Sequence, residues 1–357
     1  MPFYQHVIRP LLFRIDPEAA HALSITTVRV LGQIPGLPDL VDQCLRIQSD
    51  SLTRNIAGLE FPNPIGLAAG WDKSAEALKM IDHMGFGFAE TGSVSARPSK
   101  GNPAPRLFRL PDEKAIIVNY GLPNDGANVV AKRLARYRSK NPIGVNIVKT
   151  NDGPDAPPAS PEEIIEDYVC SVSVLHPHAD YLMLNLSCPN AEGGKDIFAQ
   201  PSNIALLLTH LKEVHVQSPI FLKLSPNPDS EWLQQIVDIS LQHDVVAGFS
   251  FNLPPGKPTS LKFANESRCF EALPGAVSGQ PVSNLINRCI ATLHPLIPKG
   301  RFHIIASGGV FTAQDALEKI RLGASLLQIY TSLIYNGPNA VRQINKELSE
   351  SIDTGGN

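Results

Sequence analysis

The feature that most constrains the fold is a series of short apolar runs between residues 65 and 331, each typical of a strand buried on both faces. Segments with helical periodicity separate several of these runs, among them 162–173, 231–243 and 312–322. Eight buried strands alternating with helices is the count of a (β/α)8 TIM barrel, an α/β fold whose parallel strands close inside a ring of helices. The eight runs are 65–70, 88–93, 143–147, 182–190, 220–224, 248–252, 303–309 and 326–331.

Polar residues or glycines stand at or just after the end of each run. Because the strands of a barrel are parallel, their carboxyl ends meet on one rim, where barrel enzymes carry their catalytic groups. We therefore expect a single site on that rim. Its members would be Lys73, Ser93, Asn146, Asn185, Lys223, Asn252, Gly308, Gly309 and Thr331.

The run 181–190 carries the densest group of reactive and hydrogen-bonding side chains. It contains Asn185, Cys188 and Asn190, and Pro189 stops the strand because proline cannot donate to a ladder. An isolated cysteine is most often a small buried hydrophobe. Here two amides bracket the thiol, and each offers donor and acceptor groups suited to a planar amide or carboxylate ligand. The pattern favours a functional cysteine.

The last two strands end in turns typical of a phosphate site. Ser307-Gly308-Gly309 and Tyr330-Thr331-Ser332 each lead into a helix, so backbone amides and hydroxyl groups meet near a helix N-terminus. One such turn is weak evidence, but two in consecutive terminal units favour a phosphate ligand. Lysines at the ends of buried strands are costly unless neutralised, so Lys73 and Lys223 indicate a second anionic group. Flavin mononucleotide (FMN) offers both, a phosphate and a ring that becomes anionic on reduction.

Two short amphipathic helices are predicted before any strand. Residues 2–15 are apolar at i, i+3 and i+4 positions. A second helix begins with Asp16 as N-cap and Pro17 at the first helical position, and it continues to about residue 32. A Pro-rich linker at 34–38 follows. We therefore divide the chain into a helical unit at 1–40 and a barrel at 41–357.

The helical unit has two interpretations. Its apolar faces could pack on the barrel, which the pattern alone favours. Alternatively the helices could lie in a bilayer surface, with Arg9, Arg14 and Arg29 facing the headgroups.

Composition excludes several function classes. The 357 residues carry a net charge of −3 and are 43% hydrophobic, so a large core is available and nothing indicates a nucleic-acid partner. Five cysteines without a CxxC pair predict no disulfide framework and no metal site, and they fit a reducing compartment. No apolar run approaches the ~18 residues of a spanning helix, and no signal-peptide pattern is present. We expect a cytoplasmic protein.

Several long stretches match one enzyme family. They are LFRIDPEAAH at 12–21, NPIGLAAGWDK at 63–73, GNPAPRLFRL at 101–110, NLSCPN at 185–190, QDALEKI at 314–320 and QIYT at 328–331. On these the chain resembles the dihydroorotate dehydrogenases, specifically their quinone-using, membrane-associated class. In that class the N-terminal helices form a membrane-facing mouth through which ubiquinone reaches the flavin. The resemblance implies FMN-dependent oxidation of dihydroorotate to orotate in pyrimidine biosynthesis, with a quinone as acceptor and peripheral association with the inner membrane.

The resemblance also assigns roles to residues of this chain. Cys188 takes the position of the base that removes a proton while a hydride passes to the flavin. Arg106 and Tyr330 would lie near the quinone head. Dihydroorotate would be held by Lys73, Asn119, Asn185, Asn190 and Asn252. FMN would be held by Ala69, Gly70, Lys73, Ser93, Asn146, Asn185, Lys223, Ser278, Gly279, Gly308, Gly309, Tyr330 and Thr331.

Three features depart from the family pattern. Serine is usual in the quinone-using class where this chain has Cys188, and a thiol with an ordinary pKa of about 8.5 is a workable base. Val118 stands where the family has a substrate-binding asparagine, with Asn119 one place later. Phe251 and Leu253 stand where the family has hydroxyl residues.

Three functions therefore stay open from the sequence. The first is a quinone-dependent dihydroorotate dehydrogenase. The second is a paralogue with the same flavin chemistry but another cyclic or amide substrate, motivated by Val118, Phe251 and Leu253. The third is a phosphate-binding barrel lyase with Lys223 as a Schiff-base nucleophile. An oxidised-flavin absorption spectrum separates the third from the other two.

Overall fold

The computed structural model describes residues 3–153, 155–187, 197–263 and 269–355. In chain order the strands are β1 Arg54–Ile56, β2 Leu59–Phe61, β3 Ile65–Leu67, β4 Phe88–Val94, β5 Leu107–Leu110, β6 Ala115–Val118, β7 Ile143–Ile147, β8 Tyr181–Asn185, β9 Ile220–Leu224, β10 Val246–Phe251, β11 Ala276–Gly279, β12 His303–Ser307 and β13 Leu326–Ile329. Within the described ranges eight parallel strands close into a barrel in the order β3-β4-β7-β8-β9-β10-β12-β13, and β13 pairs back to β3. These eight are the predicted strands, which confirms the (β/α)8 barrel.

Helices follow the barrel strands and contact one another around its outside. Capping fixes where several begin: the Ser160 hydroxyl accepts from the Glu163 N–H, and the Thr312 hydroxyl accepts from the Asp315 N–H. The α-helices are α1 Arg9–Leu12, α2 Pro17–Leu31, α3 Leu37–Leu45, α4 Leu78–Ile81, α5 Ala127–Leu134, α6 Pro161–Leu175, α7 Pro201–Glu213, α8 Ser230–Ser240, α9 Ser283–Leu293, α10 Ala313–Arg321, α11 Thr331–Asn336 and α12 Ala340–Gly355. Short 3-10 turns lie at Asp50–Leu52, Pro111–Glu113, His176–His178, Ile197–Ala199, Cys269–Ala272, Gln280–Val282 and His294–Leu296.

The core has two layers because successive strand residues face opposite sides of the sheet. In β8, Leu182 packs with the surrounding helices, whereas Met183 packs inside the barrel. The β1–β2 hairpin closes the amino-terminal end of the barrel, where the Phe61 and Phe88 rings lie 5.4 Å apart. With that end filled by side chains, the space for a ligand is at the carboxyl ends of the strands.

A small antiparallel sheet, in the order β11-β6-β5, adds a wall at the carboxyl end. Its strands come from two separate loops, one after β4 and one after β10, and Val118 pairs with both Leu107 and Ala276. The apolar runs of the sequence did not predict these strands, because each has only four residues and the pairing of β6 with β11 joins two different loops.

The N-terminal segment is helical in both predicted places, and its second helix begins where the capping signal predicts. The Asp16 carboxylate accepts the Ala19 N–H at 2.9 Å and caps α2, as predicted. The first predicted helix is a π-helical turn at Tyr4–Ile8 followed by α1. Because α3 spans Leu37–Leu45, it begins inside the predicted linker and contains the boundary drawn at residue 40.

The N-terminal segment is tied to the last unit of the barrel. The Tyr4 hydroxyl donates to the Ile334 carbonyl at 2.9 Å, and Arg9 Nη1 donates to the Tyr335 carbonyl at 3.1 Å. Arg109 Nη1 donates to the Leu12 carbonyl at 3.1 Å. In the described part of the chain, the helices are too short or too polar to span a bilayer.

Candidate active site

One cavity lies at the carboxyl ends of the barrel strands, and its empty space, including the open mouth, is about 990 Å³. Parallel strands bring residues that are distant in sequence to this rim, as predicted. The predicted residues that line it are Ala69, Gly70, Lys73, Ser93, Asn185, Lys223, Asn252, Ser278, Gly308 and Tyr330.

A continuous chain of hydrogen bonds runs from β10 to β4 beside this cavity. Asn252 Nδ2 donates to Asn185 Oδ1 at 2.7 Å, and Asn185 Nδ2 donates to Ser93 Oγ at 3.4 Å. Ser93 Oγ donates to Asn146 Oδ1 at 2.5 Å, and Asn146 Nδ2 donates to Glu90 Oε1 at 2.8 Å. Asn146 therefore supports the site from behind the cavity wall. Linked in this way, the amides are oriented before a ligand binds.

Glu90 is the buried end of this chain, with 1% of its surface exposed. Its carboxylate accepts from Gln328 Nε2 at 2.7 Å and from the Tyr181 hydroxyl at 3.2 Å. Burial, together with the Glu90 charge, raises the pKa of the Tyr181 phenol, so the hydroxyl stays protonated and donates. The Lys223 ammonium lies 3.8 Å from Glu90 Oε1. Glu90 thus compensates a lysine that would otherwise be an unpaired charge in the barrel interior.

Lys73 connects the cavity to helix α2. Its Nζ lies 2.8 Å from His21 Nε2 and 4.1 Å from the centre of the Tyr120 ring. Desolvation lowers the pKa of Lys73 to about 7, although Asp72 opposes the shift. The pKa of His21 is well below its ordinary value because the ring is buried and faces Lys73. At neutral pH His21 is therefore uncharged, and its Nε2 can accept a hydrogen bond from Lys73.

The turns after β12 and β13 form a polar recess next to the cavity, where the sequence predicts a phosphate. Gly308, Gly309, Thr331 and Ser332 line it. The Ser332 hydroxyl is buried and has no hydrogen-bond partner among the described residues, as expected for a group that serves a ligand. Ser278 Oγ lies 3.1 Å from the Thr331 hydroxyl at the same place.

A side chain does not fit at Gly309, which lines this recess. Its φ is +75°, and an added Cβ would lie 2.4 Å from Ser283 Cβ. At Gly279, φ is +105° and an added Cβ would lie 3.1 Å from Thr331 Cγ2. Two glycines, hydroxyl groups and helix starts fit the donor set of a phosphate site.

Asn119, a predicted substrate residue, is not among the residues that line the cavity. Asn102 Nδ2 donates to Asn119 Oδ1 at 3.2 Å and to the Asn119 carbonyl at 3.1 Å, outside the cavity. The reason is strand alternation: Ile116 and Val118 of β6 line the cavity, so the next residue is out of phase. Val118 and Leu253 give this wall an apolar surface.

Cys188 and Asn190 lie outside the described residues. The segment that leads to them is anchored beside the cavity, since Asn252 Nδ2 donates to the Ser187 carbonyl at 3.1 Å and Ser187 Oγ donates to the Lys223 carbonyl at 3.4 Å.

A second cavity lies under the N-terminal helices. Residues of α2 such as Ala20 and His21 line it, and Ile116 and Tyr330 line both cavities. Arg109 borders the second cavity.

Tyr330, which the sequence predicts near the quinone head, lies in the wall of both cavities. Arg106, the other residue predicted there, is not in the wall of the second cavity. It forms an ion pair with Glu18 of α2, and its Nε donates at 2.8 Å.

Sequence reasoning missed Glu90, His21 and Tyr120. A lone carboxylate inside the buried run 88–93 was a usable signal for Glu90, because such a residue needs a partner. His21 was visible only as a polar residue in an amphipathic helix. Tyr120 follows β6, a strand that the apolar runs did not predict.

Comparison with known proteins gives consistent matches. A family model described as Dihydroorotate dehydrogenase matches residues 51–352. A protein named dihydroorotate dehydrogenase (quinone) from Acidithiobacillus ferrooxidans is 38% identical over 356 residues, covering 96% of this chain and 93% of the relative. A protein of the same name from Mycobacterium tuberculosis is 36% identical, covering 98% of this chain and 94% of the relative.

Solved structures agree with these matches. A ligand-free DHODH from Eimeria tenella has a TM-score of 0.81 and 31% identity, covering 96% of both chains. The structure of Eimeria tenella DHODH in complex with ferulenol has a TM-score of 0.80 and 31% identity, covering 96% of this chain and 93% of the other.

Proposed function

The chain belongs to the dihydroorotate dehydrogenase family, and from that premise we propose that it oxidises dihydroorotate to orotate in pyrimidine biosynthesis, with a quinone as electron acceptor. The observation that carries the proposal is the pair of adjoining cavities. One has lysines and linked amides at the barrel rim, the other lies under the N-terminal helices, and Tyr330 is in the wall of both.

We propose that the flavin of this protein is FMN, and the residues of the polar recess fit its phosphate. The unpartnered Ser332 hydroxyl, the glycines at 279, 308 and 309, and Thr331 suit its phosphate. When bound, FMN would supply a hydride acceptor for the substrate and an electron donor for the quinone. The residues that would hold it are Ala69, Gly70, Lys73, Ser93, Asn146, Asn185, Lys223, Ser278, Gly279, Gly308, Gly309, Tyr330 and Thr331.

Substrate binding falls to side chains that are already oriented. Asn185 and Asn252 present amide groups to a planar ring, and Lys73 supplies a positive charge for the carboxylate of the substrate. Asn190 joins them in the proposal on its place in the NLSCPN motif.

Cys188 is the proposed base. Its thiolate would take a proton from a ring carbon at Sγ while the hydride leaves the neighbouring carbon. Support comes from its position in the motif and from the anchoring of the preceding residue, Ser187, against Asn252 and Lys223.

We propose that the N-terminal helices lie at the inner membrane and admit the quinone to the second cavity. Of the arginines expected at headgroups, Arg14 is exposed, whereas Arg29 pairs with Glu76 at 2.9 Å and Arg9 binds the barrel. Large apolar side chains that point to solvent are concentrated in this segment, which favours an interfacial role over packing alone. They include Phe3 at 62% exposed, Leu11 at 58%, Leu40 at 56%, Val30 at 54% and Leu23 at 51%.

The test is anaerobic flavin reduction followed by reoxidation. Dihydroorotate should bleach the flavin absorption of the purified protein, and a ubiquinone analogue should restore it much faster than fumarate or NAD. If dihydroorotate bleaches the flavin but only fumarate or NAD reoxidises it, the proposed substrate stands and the proposed quinone acceptor is refuted.

A second candidate is a paralogue that uses another cyclic or amide substrate. The apolar wall of Val118 and Leu253, with Asn119 bound to Asn102 instead of facing the cavity, favours it. A polar substrate group that meets this wall loses about 1–3 kcal/mol per missing partner. The same experiment decides, because dihydroorotate would then fail to bleach a flavin that another dihydropyrimidine or cyclic amide reduces. The lyase alternative built on Lys223 loses its support, since the family is one of oxidoreductases.

A further inference from the structure

Lys319 of α10 is a buried cation that the proposed reaction does not use. Its exposed fraction is 0%, and its Nζ donates to Asn287 Oδ1 at 2.5 Å and to Ser283 Oγ at 3.3 Å. Both acceptors are neutral and belong to α9. Among the described residues no carboxylate forms an ion pair with this ammonium.

An unpaired ammonium is expensive at this place. Burial lowers the pKa of Lys319 to about 8, and Asp315 and Glu318 of the same helix oppose the shift only from a distance. Ser283 is the first residue of α9, so the ammonium also lies near the positive end of the α9 dipole. The described partners of Lys319 are both neutral, so an anion near these two positive features would stabilise them.

The Ser283 hydroxyl connects Lys319 to the proposed phosphate recess. Ser283 Oγ, which lies 3.3 Å from the ammonium, donates to the Gly309 carbonyl at 3.5 Å. Gly309 and Ser332 both line the recess, and the Ser332 hydroxyl has no hydrogen-bond partner in the part of the chain that the structure describes. A chain of hydrogen bonds therefore runs from Lys319 of α10 through Ser283 of α9 to the turn at Gly309.

We propose that Lys319 is the buried counter-charge of the cofactor phosphate, acting through Ser283 and the Gly308–Gly309 turn, and that it sets the preference of this protein for FMN over riboflavin. The inference rests on the proposed function, because it needs the phosphate to bind at this turn. Lys319 is a positioning residue here: it favours the phosphorylated flavin by charge and holds the turn by its hydrogen bonds to α9.

The test is competition between FMN and riboflavin for the purified, flavin-loaded protein. Free and bound flavin are separated by rapid ultrafiltration, and the ratio of the two dissociation constants is measured for the parent and its variants. Lys319→Met removes the charge and keeps the length of the side chain. Asn287→Asp keeps Lys319 and the local volume but places a carboxylate 2.5 Å from the ammonium. Lys346→Met, at an exposed lysine of α12, is the matched control.

We expect Lys319→Met and Asn287→Asp each to lower the preference for FMN by about tenfold or more, as for a charge lost several ångströms from an anion in a protein interior. Lys346→Met should leave the preference unchanged. Riboflavin affinity should change little in all three variants, because riboflavin has no phosphate.

The outcomes separate the inference from the function on which it rests. A parent that binds FMN and riboflavin equally well would place the phosphate elsewhere and refute the proposed cofactor site. A parent that prefers FMN, with variants that keep the full preference or weaken both flavins equally, would reduce Lys319 to a structural link between α9 and α10. If Lys319→Met does not fold, Asn287→Asp decides alone.

Discussion

Replacing Gly309 with alanine tests the phosphate recess most directly, because the chain offers a matched glycine elsewhere. Gly309 has φ at +75°, and an added Cβ would lie 2.4 Å from Ser283 Cβ and 2.7 Å from Ser283 Cα. Gly300 has φ at +77°, and an added Cβ there would meet nothing within 4 Å. The two substitutions impose the same backbone strain, and only one imposes an overlap.

The expected magnitudes follow from that difference. A left-handed conformation costs a non-glycine residue about 1–2 kcal/mol, so both variants should lose that much unfolding free energy. The overlap at Gly309 adds about 1–3 kcal/mol. The turn can relieve the overlap only by moving away from Ser283, toward the space that we assign to the phosphate. If the added strain falls on the bound state, it corresponds to about 5- to 150-fold weaker FMN binding.

The assay measures flavin per protein after gel filtration and the FMN dissociation constant by fluorescence quenching, with urea unfolding of the same samples. Gly300→Ala should be less stable than the parent and keep its flavin. Gly309→Ala should lose both stability and flavin. Equal flavin affinity in the two variants would refute the assignment of the phosphate to this turn.

Three further outcomes follow from the structure. Deleting residues 1–35, which leaves α3 in place, should abolish quinone reduction and vesicle binding and leave flavin bleaching intact; undiminished quinone turnover would contradict the entrance at α2. Cys188→Ala should keep the flavin and lose about 10²–10⁴-fold in flavin reduction, and Cys188→Ser should keep part of the rate with a higher pH optimum; a parent-like rate in Cys188→Ala would place the base elsewhere. The pKa of Lys73 is about 7 in the folded protein, against an ordinary value of 10.5. Between pH 7 and pH 10.5 the unfolded chain therefore binds more protons than the folded protein, so the free energy of unfolding should rise with pH over this range. Lys73→Met should remove about 1 kcal/mol per pH unit from that slope in urea unfolding at pH 7 and pH 9, and an unchanged slope would mean that Lys73 is not desolvated.

The barrel could be predicted from the sequence because its strands are buried on both faces. Runs such as 220–224 are apolar without interruption, and helical periods separate them, so the alternation is visible without any tertiary information. The start of α2 could also be predicted from local sequence, because Asp16 and Pro17 themselves form the capping signal.

The small sheet and the direction of its side chains could not be predicted in the same way. Val118 pairs with residues 11 and 158 positions away in the chain, Leu107 and Ala276, and four-residue strands have no period long enough to recognise. Motif alignment suggested that Asn119 could take the place of the missing asparagine. Only the pairing of β6 shows that Val118 faces the cavity and that Asn119 binds Asn102.

Most of the predicted rim residues lie together at the cavity, because parallel strands place their ends together whatever the loops do. The contacts behind the rim were not predictable, because they join side chains of strands that come together only once the barrel has closed. Glu90 of β4 contacts Gln328 of β13, a residue 238 positions away, and no local pattern contains that information.

The hydrogen bond from Tyr4 to the Ile334 carbonyl joins residues 330 positions apart. Barrel closure through β13 and β3 likewise joins the last strand to the first, and Tyr330 between them forms the wall that both cavities share. A chain emerging from the ribosome therefore cannot form the second cavity until it is almost fully synthesised. The turns after β12 and β13, to which we assign the flavin phosphate, lie in the same C-terminal stretch. Both halves of the proposed electron route are therefore completed at the same late stage of synthesis.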